Sequence, residues 1–285
     1  MKATNLPQFT LVIPVLNEEK TIHHLLADLD NQTFKNFEVV IVDGHSQDKT
    51  LIKIAPFTGK LNLTVLDSPI RNVCHQRNLG ATVAKSSVLI FMDADNRLPS
   101  YFLQGIKYQH EVHQSHIFTT WISTDTADAD PIIPTVINWY SEIQKSTSNP
   151  FVIESMLGIQ LKLFQKLKGF DPKLPMNEGS DLLKRALQKG ITIDVYKDPR
   201  YLYSFRRLKR QGSLNIFTTV VQTEIAKALG IKLSADYQKK IYPMKGGKYF
   251  DDEESNFFNR LLDKLKLNGT KERLTNTVKK ILFED

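Results

Sequence analysis

Hydrophobic and polar positions in the first half of the chain follow two rhythms in turn. Short, nearly unbroken apolar runs read as strands: Phe9–Val15, Phe37–Asp43, Leu61–Leu66 and Ser87–Met92. Runs without polar alternation suit strands covered on both faces. Between the first two, Ile22, Leu25, Leu26 and Leu29 recur at i, i+3, i+4 and i+7, the stripe of an amphipathic helix. A second helix is expected to run to about Ala55, and a third over 74–85. Strands separated by helical segments predict βαβ units and a parallel sheet. Ligands of such sheets bind beyond the carboxyl ends of the strands, so polar residues just after each strand are the candidates for chemistry.

The second half is less regular. A strand is predicted over Ile117–Ile122, a loop over 124–134, a helix over 135–146 and an apolar strand or core segment over Phe151–Leu161. A helix from Asp181 to Lys189 is stopped by Gly190, and Ile191–Val195 reads as a further strand. Beyond Gly212 the pattern turns helical and basic. The 285 residues allow one large domain or one domain with an appendage. No apolar run reaches the roughly 18 residues that would span a bilayer. The N-terminus has no apolar signal region, and the one cysteine, Cys74, has no partner for an internal disulfide, which fits a reducing compartment.

Charge is unevenly placed. The net charge is +7, and Tyr196–Asp285 carries 19 Lys and Arg against 11 Asp and Glu, so the whole excess lies in the last third. Such a region can meet nucleic acid, an anionic membrane or a phosphorylated small molecule, or can simply be solvated surface. No zinc-finger spacing or RNA-binding aromatic box is present, which argues against nucleic acid.

Asp93-Ala94-Asp95 leaves the fourth strand directly. Two carboxylates two residues apart on one turn can face a common hard cation, Mg²⁺ or Mn²⁺, which is commonly shared with substrate phosphates. Asp-rich turns also cap helices, so the motif alone is weak. Its neighbours strengthen it. Pro14-Val15-Leu16-Asn17-Glu18-Glu19 follows the first strand, Asp43-Gly44 closes the second, and Arg77-Asn78 precedes the fourth. Polar and acidic groups at successive strand ends suggest a nucleoside diphosphate and its metal.

These stretches carry a resemblance. VIPVLNEEKTI (12–22), FEVVIVDGHSQDKT (37–50), RNLGATVAKSSVLIFMDADNRL (77–98), FQKLKGFDPKL (164–174) and EGSDLLKRALQKG (178–190) resemble family 2 glycosyltransferases, in that family's order and spacing over about residues 8–210. The resemblance implies a GT-A fold: a Rossmann-like, mostly parallel sheet flanked by helices, here expected over 1–212, with a basic helical extension over 213–285. It also implies a metal-dependent transferase of cell-envelope glycan synthesis. Such an enzyme moves a hexose, usually with inversion, from a nucleoside-diphosphate donor (UDP in preference to GDP) to a glycan, lipid or polyprenyl-phosphate acceptor.

Carried over by position, Pro14, Asn17 and Glu18 line the nucleotide pocket. Asp43 bonds the base, Arg77 lies near the nucleotide or its phosphates, Asp93 touches the donor and the metal, and Asp95 binds the metal directly. YSFRRLKRQG (203–212) looks like a basic motif of some members, and its Arg206, Arg207 and Arg210 are expected at the diphosphate. Arg suits that task through bidentate contact with phosphate oxygens.

One departure stands out. The family commonly opens a helix with a Glu-Asp pair whose Asp takes the acceptor proton. Glu178 matches that Glu, but Gly179 stands where the Asp belongs, and Asp181 matches a later acidic position. Asp181 or Glu178 could be the base, or neither; Ser180 or Asp181 could instead cap the helix. A non-catalytic nucleotide-sugar-binding or assembly subunit is therefore the alternative function. A nucleotidyltransferase is disfavoured by the absence of a Gly-rich basic loop after the first strand.

His110, His113 and His116 are spaced to share a helix side, but no fourth ligand for zinc is near. In the C-terminal third, residues 214–229 and 271–283 are candidate amphipathic helices. They either pack on their own domain or lie in a membrane interface. The expected location is cytoplasmic, with peripheral contact on the inner membrane face in the second case.

Overall fold

The computed structural model describes residues 6–124, 132–147, 150–174 and 177–204. Among these residues seven strands form one sheet, in the order β3-β2-β1-β4-β6-β5-β7. They are β1 (Phe9–Val15), β2 (Phe37–Asp43), β3 (Leu63–Asp67), β4 (Val88–Met92), β5 (Ile117–Thr124), β6 (Met156–Gln160) and β7 (Asp194–Tyr203). β1 pairs parallel with β2 and β4, β2 with β3, and β5 with β7, while β6 runs antiparallel between β4 and β5. The sheet is thus mostly parallel, as predicted. The helices are α1 (Ile22–Asp30), α2 (Thr50–Ile54), α3 (Val73–Thr82), α4 (Phe102–His113), α5 (Ile132–Gln144), α6 (Leu161–Lys166) and α7 (Glu178–Leu187).

The central strands are buried along nearly their whole length. Every residue of β2 and β4 is buried, and in β1 only Pro14 keeps partial exposure. This is the physical reason their apolar runs carry no alternation. β3, at the edge, is mostly exposed, and it begins two residues later than its apolar pattern suggests. α1 buries Ile22, Leu25, Leu26 and Leu29, the four positions of its stripe. α3 lies close over β1 and β2 because residue 80 is glycine: a Cβ there would fall 2.4 Å from Val12 Cγ1 and 3.1 Å from Val42 Cγ2.

Three sequence expectations need correction. α7 begins at Glu178, not Asp181, so Glu178, Gly179 and Asp181 share its first turns. Its N-cap is Asn177, in the left-handed region at φ 59°, with no side-chain cap bond, so neither Ser180 nor Asp181 is the cap. β7 begins three residues later than expected and runs on to Tyr203. The segment 151–161 divides into an irregular stretch, β6 and the start of α6. Among the described residues no helix is long and apolar enough to cross a membrane. Arg206, Arg207, Arg210 and the extension 213–285 lie outside the described residues.

Candidate active site at the carboxyl edge of the sheet

β1, β2, β3 and β4 end on one edge of the sheet, and the antiparallel β6 begins there, since Met156 pairs with Met92. The loops after β1 and β2 are laced together. Asn17, at φ 54°, donates its backbone N–H to Ser46 Oγ at 2.9 Å, and its Oδ1 accepts from Gln47 N at 2.8 Å. Glu18 N–H reaches Thr50 Oγ1 at 2.7 Å, and Glu19 N–H reaches Asp48 at 3.1 Å. Asn17 and Glu18 are buried, and Glu18 also accepts from Thr21 Oγ1 at 2.7 Å at the start of α1. Gln76 of α3 donates to the carbonyls of Val15 (2.9 Å) and Val42 (2.7 Å), fixing both strand ends to one helix.

Asp43 terminates β2 and is buried. Its carboxylate accepts from Ser46 Oγ at 2.5 Å and from Ser46 N. A carboxylate has about four lone-pair sites, so these bonds leave it acceptor capacity. Val15 is its register partner on β1, and Pro14 lies opposite Val42.

The turn after β4 is anchored from several sides. Asp93 N–H donates to Ser155 O at 2.9 Å, and Asn96 Nδ2 donates to the same carbonyl at 2.7 Å. Ser155 Oγ lies 2.8 Å from the hydroxyl of buried Tyr201, whose pKa is raised by burial. Arg97 N and O pair with Leu202, and the Arg97 guanidinium holds Asp28 at 2.6 Å. Asp93 and Asp95, two residues apart on this turn, are both partly exposed.

Arg77 organises the acidic residues. It is buried, with Nη1 3.0 Å from Glu178, Nη2 2.9 Å from Asp93 and 3.3 Å from the backbone carbonyl of Glu154. Its guanidinium also lies over the Phe170 ring, 5.4 Å from the centroid. Burial disfavours the charged form, but Asp93, Glu178 and Glu154 outweigh that cost and raise its pKa. Arg77 therefore gives its donors to carboxylates and a carbonyl; Nε has no partner among the described residues.

Glu178 is buried against Arg77. Asp181 lies one turn along and holds Arg185 at 2.8 Å; Arg185 in turn donates to the carbonyls of Leu167 and Gly169. Asp181 thus joins α7 to the 167–169 turn.

Glu154 is the residue sequence reasoning missed. Ser180 N–H donates to its Oε1 at 3.0 Å. A Cβ at Gly179 would fall 2.8 Å from its Cγ and Cδ, so its carboxyl fills the space a side chain at 179 would need. Burial, then Glu178, pushes its pKa up to about 8, with Arg77 and the backbone N–H groups of Ser180 and Gly179 opposing. The available signal was a lone acid inside the apolar stretch Phe151–Leu157.

His110, His113 and His116 do not gather as zinc ligands. His110 packs on Phe9 and Phe118, with its pKa lowered by burial; His113 stacks on Tyr196, and His116 bonds Gln160. Among the described residues no three His, Cys, Asp or Glu side chains gather as a metal cage.

The family model of glycosyl transferase family 2 matches residues 10–164, which runs from β1 through the DxD turn to α6. The chain belongs to glycosyl transferase family 2. Poly(ribitol-phosphate) beta-N-acetylglucosaminyltransferase TarS of Staphylococcus aureus is 32% identical over 114 residues, 39% of this family 2 chain and 20% of TarS. The amylovoran biosynthesis glycosyltransferase AmsB of Erwinia amylovora is 33% identical over 93 residues, 31% of each. The family 2 chain therefore matches a fifth to about a third of these relatives' lengths.

Solved structures extend the likeness of fold. TarS 1–349 in complex with UDP-GlcNAc superposes at TM-score 0.56 and 21% identity, covering 88% of this chain and 75% of that one. The mannosyltransferase PcManGT from Pyrobaculum calidifontis, in complex with GDP-Man and Mn²⁺, superposes at 0.59 and 17% identity, covering 99% and 89%. The architecture is the GT-A fold.

Proposed function

We propose that this chain transfers a sugar from a nucleoside-diphosphate donor to a hydroxyl acceptor, with inversion at the anomeric carbon. The observation that carries the reading is the convergence of Asp43, Asp93, Asp95 and the Arg77–Glu178 pair at the carboxyl edge of the parallel strands. The nucleotide-sugars named with TarS and PcManGT support it.

In this reading the laced β1 and β2 loops cradle the nucleoside, with Asn17 and Glu18 shaping the loop and Asp43 accepting from the base. An N–H donor on the base, as in uracil, suits a carboxylate, which favours a UDP-sugar. Arg77 holds Asp93 in place and acts on the donor through it.

Asp95 and the Asp93 oxygen not bonded to Arg77 would hold Mg²⁺ or Mn²⁺. A pair of carboxylates fits a cation that completes its shell with phosphate and water. When bound, the cation would neutralise charge on the departing diphosphate. Arg206, Arg207 and Arg210 are proposed to approach the same phosphates. The reaction forms a bond from the acceptor oxygen to the anomeric carbon and breaks the carbon–oxygen bond to the diphosphate. That bond's electron pair leaves on the phosphate oxygen, and the acceptor proton passes to a carboxylate.

The poly(ribitol-phosphate) in the name of TarS supports a hydroxyl-bearing polymer as acceptor, and with it a role in building envelope glycans. The test is a thermal-shift screen of UDP- and GDP-sugars with and without Mn²⁺. A donor at 100 times its Kd adds about 2.7 kcal/mol, a rise of about 5–10 °C for a domain of this size. The absence of any nucleotide-dependent shift and of nucleoside-diphosphate release would overturn the reading.

A further inference from the structure

An inverting transfer needs one carboxylate to accept the acceptor's proton, and three stand where α7 begins: Glu154, Glu178 and Asp181. Two of them are held by cations. Glu178 lies 3.0 Å from the buried Arg77 guanidinium, and Asp181 lies 2.8 Å from Arg185. Each pair commits a carboxylate oxygen to a guanidinium and fixes where the carboxyl points. Asp181 also has a separate task, orienting Arg185 onto the Leu167 and Gly169 carbonyls.

Glu154 differs in kind. No Arg or Lys side chain is bonded to its carboxyl among the described residues; Arg77 reaches only its backbone carbonyl, and the carboxyl is held by the backbone N–H of Ser180. Residue 154 as a whole keeps partial exposure at this edge. It also sits at the reacting edge. Its neighbour Ser155 accepts from Asp93 N–H, and Met156 pairs with Met92, the residue before the DxD turn. The start of α7 is built around it, since residue 179 has no side chain and the Glu154 carboxyl occupies the vacated volume.

We infer that Glu154 is the catalytic base of this chain, taking the acceptor hydroxyl proton from a position that a side chain at residue 179 would otherwise fill. The inference rests on the glycosyl-transfer reading above. In the step, the acceptor oxygen bonds to the anomeric carbon as its proton passes to a Glu154 oxygen. The nucleoside diphosphate departs with the electron pair of the broken bond, and the protonated Glu154 then releases its proton to water.

The groups facing Glu154 set its pH behaviour. Burial and the neighbouring Glu178 hold its pKa near 8 against the pull of Arg77. The Cys74 thiol, pushed up to about 12 by burial and then by Glu178, stays neutral throughout. A base must be ionised to act, so kcat/KM should climb with pH up to about 8 and level off above it.

The experiment measures nucleoside-diphosphate release from a panel of UDP- and GDP-sugars with Mn²⁺, water serving as acceptor. Donor binding is followed in parallel by thermal shift. Glu154→Gln keeps an acceptor for Ser180 N–H. It should retain donor binding, lose roughly 10²–10⁴-fold in turnover, and lose the rising limb of the pH profile.

Glu154→Ala combined with Gly179→Asp moves the carboxylate across the same gap and should recover activity that Glu154→Ala alone lacks. A Glu154→Gln variant with near-wild-type turnover, or a folded, donor-binding double variant with no recovery, overturns the inference. If Glu154→Gln does not fold, the double variant decides alone. Donor binding by the wild-type chain without release of nucleoside diphosphate overturns this inference alone; neither a donor-dependent shift nor release from any donor overturns the functional reading and this one with it.

Discussion

Replacing Arg77 by Met removes a buried cation that Glu178 touches and leaves the shape of the side chain roughly intact. Arg77 and Glu178 have side chains only 3% and 7% exposed, 3.0 Å apart. Breaking a buried pair by deleting one partner costs about 3–5 kcal/mol, chiefly because the surviving charge is left in a poorly solvated place. The second pair, to Asp93, adds little, because the Asp93 side chain is 38% exposed and can turn to water. Against a total stability of about 5–15 kcal/mol, the loss is large but survivable.

Urea unfolding at pH 8 should therefore show a lower midpoint at unchanged slope. The decisive comparison is a cycle with Glu178→Gln. Once the stranded carboxylate is neutral, Arg77→Met should cost markedly less, with a coupling of about 1–3 kcal/mol. Arg77 also opposes the upward shift of Glu154, so the deficit should widen as pH rises through 8. A cost under about 1 kcal/mol, or no relief from Glu178→Gln, would refute the view that Arg77 neutralises this edge of the sheet.

Asp95→Ala should abolish the Mn²⁺-dependent part of donor binding, and an unchanged Mn²⁺ response in thermal shift would exclude that residue from the metal. Asp43→Ala should weaken UDP more than it weakens Mn²⁺ alone, read as a higher Kd by titration calorimetry; equal UDP affinity would count against a contact with the base. Asp181→Asn should keep turnover within a few-fold of wild type, and Glu178→Gln should be milder than Glu154→Gln; a larger loss at Asp181 would return the base to that position. Glu154 has a folded pKa near 8, above the ordinary carboxylate value of about 4.5, so its contribution to stability is complete below pH 4.5 and lost as pH rises through 8. Wild type and Glu154→Gln should melt alike at pH 5, while at pH 9 the wild type should fall relative to the variant.

The strands were legible in proportion to their burial. β1 and β2 begin and end where their largely apolar runs do, because both faces are covered and few positions can be polar. The start of β3 is not marked in the sequence, because a mostly exposed edge strand carries a mixed pattern. The start of α7 is ambiguous in sequence because Asn177, Ser180 and Asp181 are all cap-type residues, and the chain enters the helix through Asn177 in a left-handed conformation.

The acidic residues at strand ends could be read because they lie beside their strands in sequence. Glu154 could not, since its meaning comes from Gly179 and Arg77, which are 25 and 77 positions away. Arg77 itself was expected at the phosphates, yet its reach to Asp93 and Glu178 becomes visible only when α3, the turn after β4 and α7 are brought together.

The overlap between the Glu154 carboxyl and the missing side chain at 179 also constrains the order in which this chain can mutate. A substitution at 179 made first drives a new Cβ to within 2.8 Å of Glu154, so it is resisted while Glu154 remains. Truncating residue 154 first opens the room but removes the carboxylate before another has arrived. Each single step is a valley, although the double change restores both volume and charge. Positions 154 and 179 are thus linked as alternatives: packing opposes the change at 179 made first, and loss of the carboxylate opposes the change at 154 made first.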